Sequence, residues 1–260
     1  SGTWWKSSET GWGLTVFDQG NVLAPTWFTF DADGEPTWFI VGGAFLQSDG
    51  SYRGDLLRFT GTRYDQISGP AATSATSIGN VVLRYSGERA LQFQYTADGV
   101  TQSKALERFP FGARDFSCTV SPDGDRSGSA NYTDLWTGGD AANAGWGLTL
   151  FHIDSGIFAI WYTYDLDGEA TFFVIATSRQ SDGSFSGTIF RQRNGTPFLQ
   201  IADQPASPDS DPVGNATFRF DDGDSASFSY ALGGVSQTKP IVRLLVGSRP
   251  TDCQTVTPLP

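Results

Sequence analysis

Apolar and polar residues alternate with a period of two over most of this chain. Trp12, Leu14 and Val16 alternate with Gly13, Thr15 and Phe17; Val81, Leu83 and Tyr85 with Val82 and Arg84; and Leu91, Phe93 and Tyr95 with Gln92 and Gln94. This is the pattern of half-buried β-strands. Between the runs stand turn formers such as Asp31-Ala32-Asp33-Gly34, Ser48-Asp49-Gly50 and Asp98-Gly99, which supply the positive-φ positions of short hairpin connections. The runs predict strands near residues 11–18, 22–31, 36–46, 51–60, 62–68, 78–86, 89–97 and 100–109. No stretch has a helical period long enough to predict a helix.

The same pattern occurs twice. Gly11-Trp12-Gly13-Leu14-Thr15 returns as Gly145-Trp146-Gly147-Leu148-Thr149, and Trp27-Phe28-Thr29-Phe30-Asp31-Ala32-Asp33-Gly34-Glu35 as Trp161-Tyr162-Thr163-Tyr164-Asp165-Leu166-Asp167-Gly168-Glu169. Gly99-Val100-Thr101-Gln102-Ser103-Lys104 returns as Gly234-Val235-Ser236-Gln237-Thr238-Lys239. Order and spacing agree throughout, and each unit is of domain size. The expected fold is therefore all-β: two homologous antiparallel up-and-down barrels, or barrel-like sandwiches, of about eight strands each. The first spans residues 1–118 and the second 134–253, with a Ser/Gly/Asp-rich linker at 119–133 and an extended tail at 254–260. Pro25 and Pro240 lie inside strand runs, where a missing N–H predicts a bulge or an edge. Cys118 and Cys253 follow equivalent points of the two units, which predicts a disulfide between them near a pseudo-twofold axis.

Composition narrows the function. Among 260 residues, 17 Lys and Arg stand against 28 Asp and Glu, a net charge of −11 that repels nucleic acid and anionic headgroups. No apolar run is long enough for a membrane-spanning helix, so neither partner is expected. The chain lacks Met and opens without a signal-peptide pattern, which reads as a mature or excised secreted product. His152 is the only His and is not repeated, and with two symmetric Cys it cannot complete a zinc or nucleophilic site, so no catalytic residue, metal or cofactor is expected. The Asp-x-Asp-Gly-Glu segments lack the later bidentate Glu of a calcium loop. They are expected to be hairpin turns in which Asp31, Asp33, Asp165 and Asp167 bond local amides.

A repeated polar set in strand phase is the candidate site: Trp12, Trp27, Arg58 and Lys104 in the first unit, and Trp146, Trp161, Arg191 and Lys239 in the second. Basic groups beside Trp bind sugars or other polar-aromatic ligands by stacking and charge-assisted bonds, and the same groups seal barrel ends by packing over Trp. The strand at 22–31 is aromatic on both faces, with Phe28 and Phe30 on one and Trp27 on the other, repeated as Tyr162, Tyr164 and Trp161; one face is core and the other must meet the other unit, another subunit or a ligand.

Two resemblances accompany these residues. Gly2-Thr3-Trp4-Trp5 with Arg108 on the last strand, echoed by Asp134-Leu135-Trp136 with Arg243, resembles the calycin arrangement of avidins and lipocalins. Glu9-Thr10-Gly11-Trp12-Gly13 followed by the Trp27–Trp38 run resembles a Trp/Gly-rich repeat of secreted, mostly uncharacterised bacterial proteins, which implies an extracellular or cell-surface setting and no settled activity. The expected function is a non-catalytic binding protein for an extracellular polysaccharide or other polar-aromatic ligand. The alternative is a self-associating structural subunit, and a glycoside-type hydrolase comes third.

Overall fold

Alternation closes each repeat into a barrel. A computed structural model describes residues 1–68, 73–111, 115–121, 124–202 and 207–256. The first barrel consists of β1 (Gly2–Trp5), β2 (Gly13–Asp18), β3 (Val22–Phe30), β4 (Pro36–Leu46), β5 (Tyr52–Thr60), β6 (Ser74–Gly87), β7 (Ala90–Ala97) and β8 (Val100–Arg108). After β9 (Asp115–Val120), the second consists of β10 (Asp134–Gly138), β11 (Gly147–Ile153), β12 (Gly156–Tyr164), β13 (Ala170–Arg179), β14 (Phe185–Arg193), β15 (Asp209–Phe220), β16 (Ser225–Leu232) and β17 (Val235–Arg243). Every neighbour pair is antiparallel and sequential, and β1 closes on β8 as β10 closes on β17, so neither barrel leaves a free edge.

Two expectations on the elements are corrected. The run at 62–68 is not a strand; Gly2–Trp5 provides the eighth strand instead. The extra strands β9 and β18 (Thr251–Val256) pair with each other outside both barrels, so part of the expected linker and of the expected tail is sheet. Residues 257–260 of that tail lie outside the described residues.

Period two sends one face of each strand inward. Trp12, Trp27, Phe39, Phe93 and Tyr95 fill the first barrel, and Trp146, Trp161, Phe173, Phe228 and Tyr230 the second. The outward aromatic faces meet each other: Phe30, Trp38, Tyr162, Tyr164 and Phe172 form one buried layer between the barrels. Equivalent residues touch across a pseudo-twofold axis. Thr15 Oγ1 lies 3.3 Å from Thr149 Oγ1, the Phe17 and Phe151 rings stack at 6.3 Å, and Cys118 and Cys253 form the expected disulfide. Such a bond fits an oxidising compartment. No helix among the described residues is long and apolar enough to cross a membrane.

Turn chemistry follows the sequence. Asp31 Oδ1 accepts the amides of Asp33 and Glu35, and Asp165 Oδ1 those of Asp167 and Glu169, so the first Asp of each pair caps and the second contributes its N–H. Among the described residues no cluster of three His, Cys, Asp or Glu is placed to hold a metal. Pro25 pairs with Val16 on β2, which leaves its missing N–H toward β4, and the β3–β4 register shifts there, between Leu23 and Thr26. Pro240 causes no shift against β16. The β17–β10 ladder ends at Ile241, one residue beyond it, and Gly139 N–H donates to the Pro240 carbonyl.

Candidate functional site

The β7–β8 hairpin sets Tyr95 opposite Gln102 and Phe93 opposite Lys104, and the pleat turns all four inward at one mouth of the first barrel. Trp27 from β3 stands among them, 4.6 Å from the Tyr95 ring and 5.2 Å from that of Phe93. The mouth is closed by residues 198–201 of the second repeat. Three donors capture three carbonyls of that segment: Tyr95 Oη to Phe198 at 2.7 Å, Gln102 Nε2 to Leu199 at 3.1 Å and Lys104 Nζ to Ile201 at 2.9 Å. The Phe198 ring inserts edge-on against Trp27 at 5.7 Å and Phe39 at 5.0 Å.

The other mouth is closed the same way by the first repeat. Tyr230 Oη donates to the Tyr64 carbonyl at 2.7 Å, Gln237 Nε2 to that of Asp65 at 3.1 Å, and Lys239 Nζ to that of Ile67. The Tyr64 ring meets Phe173 and Trp161 edge-on, and Ile67 is buried in that core. Each barrel therefore wears a plug supplied by its twin.

The repeated Asp-turns hold the plug stems. Gly61 N–H donates to the Gly168 carbonyl at 3.0 Å, and Gly195 N–H to that of Gly34 at 3.2 Å. A Cβ on Gly61 would come within 2.3 Å of the Tyr164 ring, and one on Gly195 within 2.0 Å of Phe30. Only glycine permits those approaches.

This geometry gathers part of each predicted set. Trp12, Trp27 and Lys104 share the first mouth, and Trp146, Trp161 and Lys239 the second, but all six are buried under a plug. Arg58 stays outside, paired with Asp98 at 3.0 Å, while Arg191 crosses to Glu35 of the first repeat at 2.8 Å. Of the two readings the sequence left open, sealing the barrel ends describes these contacts. His152 stacks on the Tyr132 ring at 5.1 Å, and burial holds its pKa below the usual imidazole value.

The two lysines differ in their partners. Lys104 also meets Glu9 Oε1 at 2.9 Å, and Glu9 is almost fully enclosed. Asn143 stands at the corresponding place in the second repeat. There, desolvation pulls the Lys239 amine below its ordinary pKa, with Asp140 acting in the opposite direction. Lys104→Met strands the Glu9 carboxylate with Lys6 as its remaining cation and is expected to cost about 3 kcal/mol, against about 1 kcal/mol for Lys239→Met. Urea unfolding checks both values, and adding Glu9→Gln to Lys104→Met should restore most of the loss.

Sequence reading missed the plugs, although a signal is present. Gly61-Thr62-Arg63-Tyr64-Asp65-Gln66-Ile67 matches Gly195-Thr196-Pro197-Phe198-Leu199-Gln200-Ile201. An aromatic and an Ile kept in phase inside a polar loop mark a buried insertion.

Two grooves flank the layer between the barrels. The first, about 290 Å³, lies between Ala24, Trp38 and Ile40 of one repeat and Leu135, Trp146 and Tyr162 of the other, with Leu244 and Val246 also lining it. The Pro25 irregularity and Gly42-Gly43, where the β4–β5 register also shifts, form one wall. The second groove, about 280 Å³, is its pseudo-twofold counterpart, built from Thr3, Trp12, Phe28 and Phe111 against Phe158 and Phe172. Of the six large hydrophobics that are exposed among the described residues, Phe45, Leu46, Leu244, Leu245 and Val246 belong to the segments bordering the first groove, which makes it the leading open apolar surface.

Fold and site together define a tandem eight-stranded barrel protein whose halves close one another. No protein-family model, curated protein or solved structure matches the chain.

Proposed function

We propose that this is a secreted, non-catalytic binding protein whose ligand surface is the first groove between the barrels rather than the barrel mouths. The observation that carries the reading is the groove itself: a concave apolar space of about 290 Å³, contributed by both repeats and bordered by exposed apolar side chains. Its lining holds few polar groups, so the hydroxyls of a sugar would lose water without finding partners. The ligand class therefore shifts from polysaccharide to molecules with an apolar face. The disulfide and the acidic surface support an extracellular setting.

Titration with the neutral fluorescent probe N-phenyl-1-naphthylamine tests the site. Saturable binding is expected, and Leu244→Asp with Val246→Asp, both rim substitutions, should weaken it by at least about tenfold. Trp quenching by a polysaccharide panel with no probe binding would instead return the function to glycans. The same exposed side chains favour self-association as a second reading. Sedimentation that shifts to larger species with concentration, and returns to monomer in the double Asp variant, would establish it.

A further inference from the structure

We infer that the first groove carries a built slot for one aromatic ring, so that its ligand is a small molecule presenting an aryl group. The inference rests on the groove being the ligand surface, and it names the chemistry of what enters. The second repeat provides the internal template. Ala24 pairs with Phe17 on β2, and the corresponding pair in the second repeat is Phe158 with Phe151. In the second groove the Phe158 ring is therefore part of the protein, 5.5 Å from Phe111 and 6.3 Å from Phe151 in tilted contact.

The corresponding positions are Ala24 and Val246, which line the first groove, and Phe17, which lies behind its wall. The phenyl that would stand on β3 is reduced to a methyl, and its neighbour on the segment after the last strand is reduced from Phe to Val. Phe17 keeps its own ring in place, fully buried and stacked on Phe151. Leu135, Val246 and Trp146 complete an apolar surround. An alkyl chain could enter such a space, but the template position is occupied by a flat ring. The first groove's own lining offers the rings of Trp38, Trp146 and Tyr162, and ring-on-ring contact with them favours an aryl guest over a saturated one of equal size.

The slot lies on a wall that is already specialised. The Pro25 irregularity and the added residue at Gly42-Gly43 belong to the first repeat alone; the counterparts are Ala159 and the single residue Ala176, and the β12–β13 ladder runs without a shift. The two repeats thus also differ in backbone along the wall that carries Ala24.

The test compares benzyl alcohol with 1-hexanol, soluble probes of similar size, by ligand-observed NMR on the full chain. Benzyl alcohol is expected to bind about fivefold tighter, a factor equivalent to one favourable ring contact. Ala24→Phe supplies the missing ring and should abolish benzyl alcohol binding, with Ala24→Leu as a milder filler if the larger one perturbs folding. Equal binding of the two alcohols, with both lost on filling, would overturn the aryl inference and leave the groove as ligand surface. Benzyl alcohol binding unchanged by both fillers would place the ring elsewhere and also overturn it. Failure of both alcohols and of the naphthylamine probe would remove the groove reading itself.

Discussion

Removal of the Cys118–Cys253 bond, by reduction or by replacing both residues with Ser, is expected to lower stability by about 5 kcal/mol, the entropic value for a loop of 135 residues. For a chain of this length that corresponds to a fall in melting temperature of roughly 10–20 °C. The bond joins β9 to β18 outside both barrels, so the barrels should keep their far-ultraviolet signature below the new transition. Calorimetry with and without reductant checks the shift. A change of a degree or two would mean that residual structure already restricts the unfolded chain without the bond, and would overturn the entropic value.

Phe198→Ala is expected to cost about 3–5 kcal/mol, because it deletes a buried ring and leaves a cavity that the barrel wall cannot collapse to fill. Its second effect is local. With the plug loosened, Trp27, which is fully enclosed, becomes accessible to acrylamide, while Trp161 under the other plug does not. Gln200→Ala, an exposed change in the same segment, serves as the control and should be neutral. Chemical unfolding gives the first quantity and Stern–Volmer quenching the second. Loss of stability without new quenching would show that Phe198 acts through packing alone and that the stem contacts of Gly195 suffice to keep the mouth shut.

Much of this architecture was legible in the residues. Alternation gave the strands, the duplicated Gly-Trp-Gly and Asp-Gly segments gave two equivalent units, and the matched Cys positions gave their cross-link. Pro25 marked its irregularity because a missing donor has a local consequence. The candidate site was only half legible. Strand phase put Gln102 and Lys104 on one face of the last strand and the repeat singled out Trp27, but phase says which side chains share a face and not what lies over them. The plug at 62–68 carries its apolar residues Tyr64 and Ile67 three apart rather than two, but so short a segment has too few positions for that spacing to separate a strand from an insertion into a distant mouth. The grooves were invisible for a similar reason. They are made where two repeats meet, and Ala24 becomes informative only when its register equivalence to Phe158 is known.

The exchanged plugs impose a timetable on synthesis. The first barrel has all eight strands once Arg108 has been made, yet the segment that closes its mouth ends at Ile201. At about 5–20 residues per second, the nascent chain carries an open barrel, with Trp27 and Phe39 uncovered, for roughly 5–20 s. Its own plug, Tyr64 to Ile67, meanwhile has no socket until β16 and β17 exist, since Tyr230 and Gln237 lie 166 and 172 residues from the carbonyls they capture. Neither half can finish before the other begins, so a ribosome-bound or truncated first repeat presents a sticky apolar mouth to chaperones, proteases and its neighbours on the polysome.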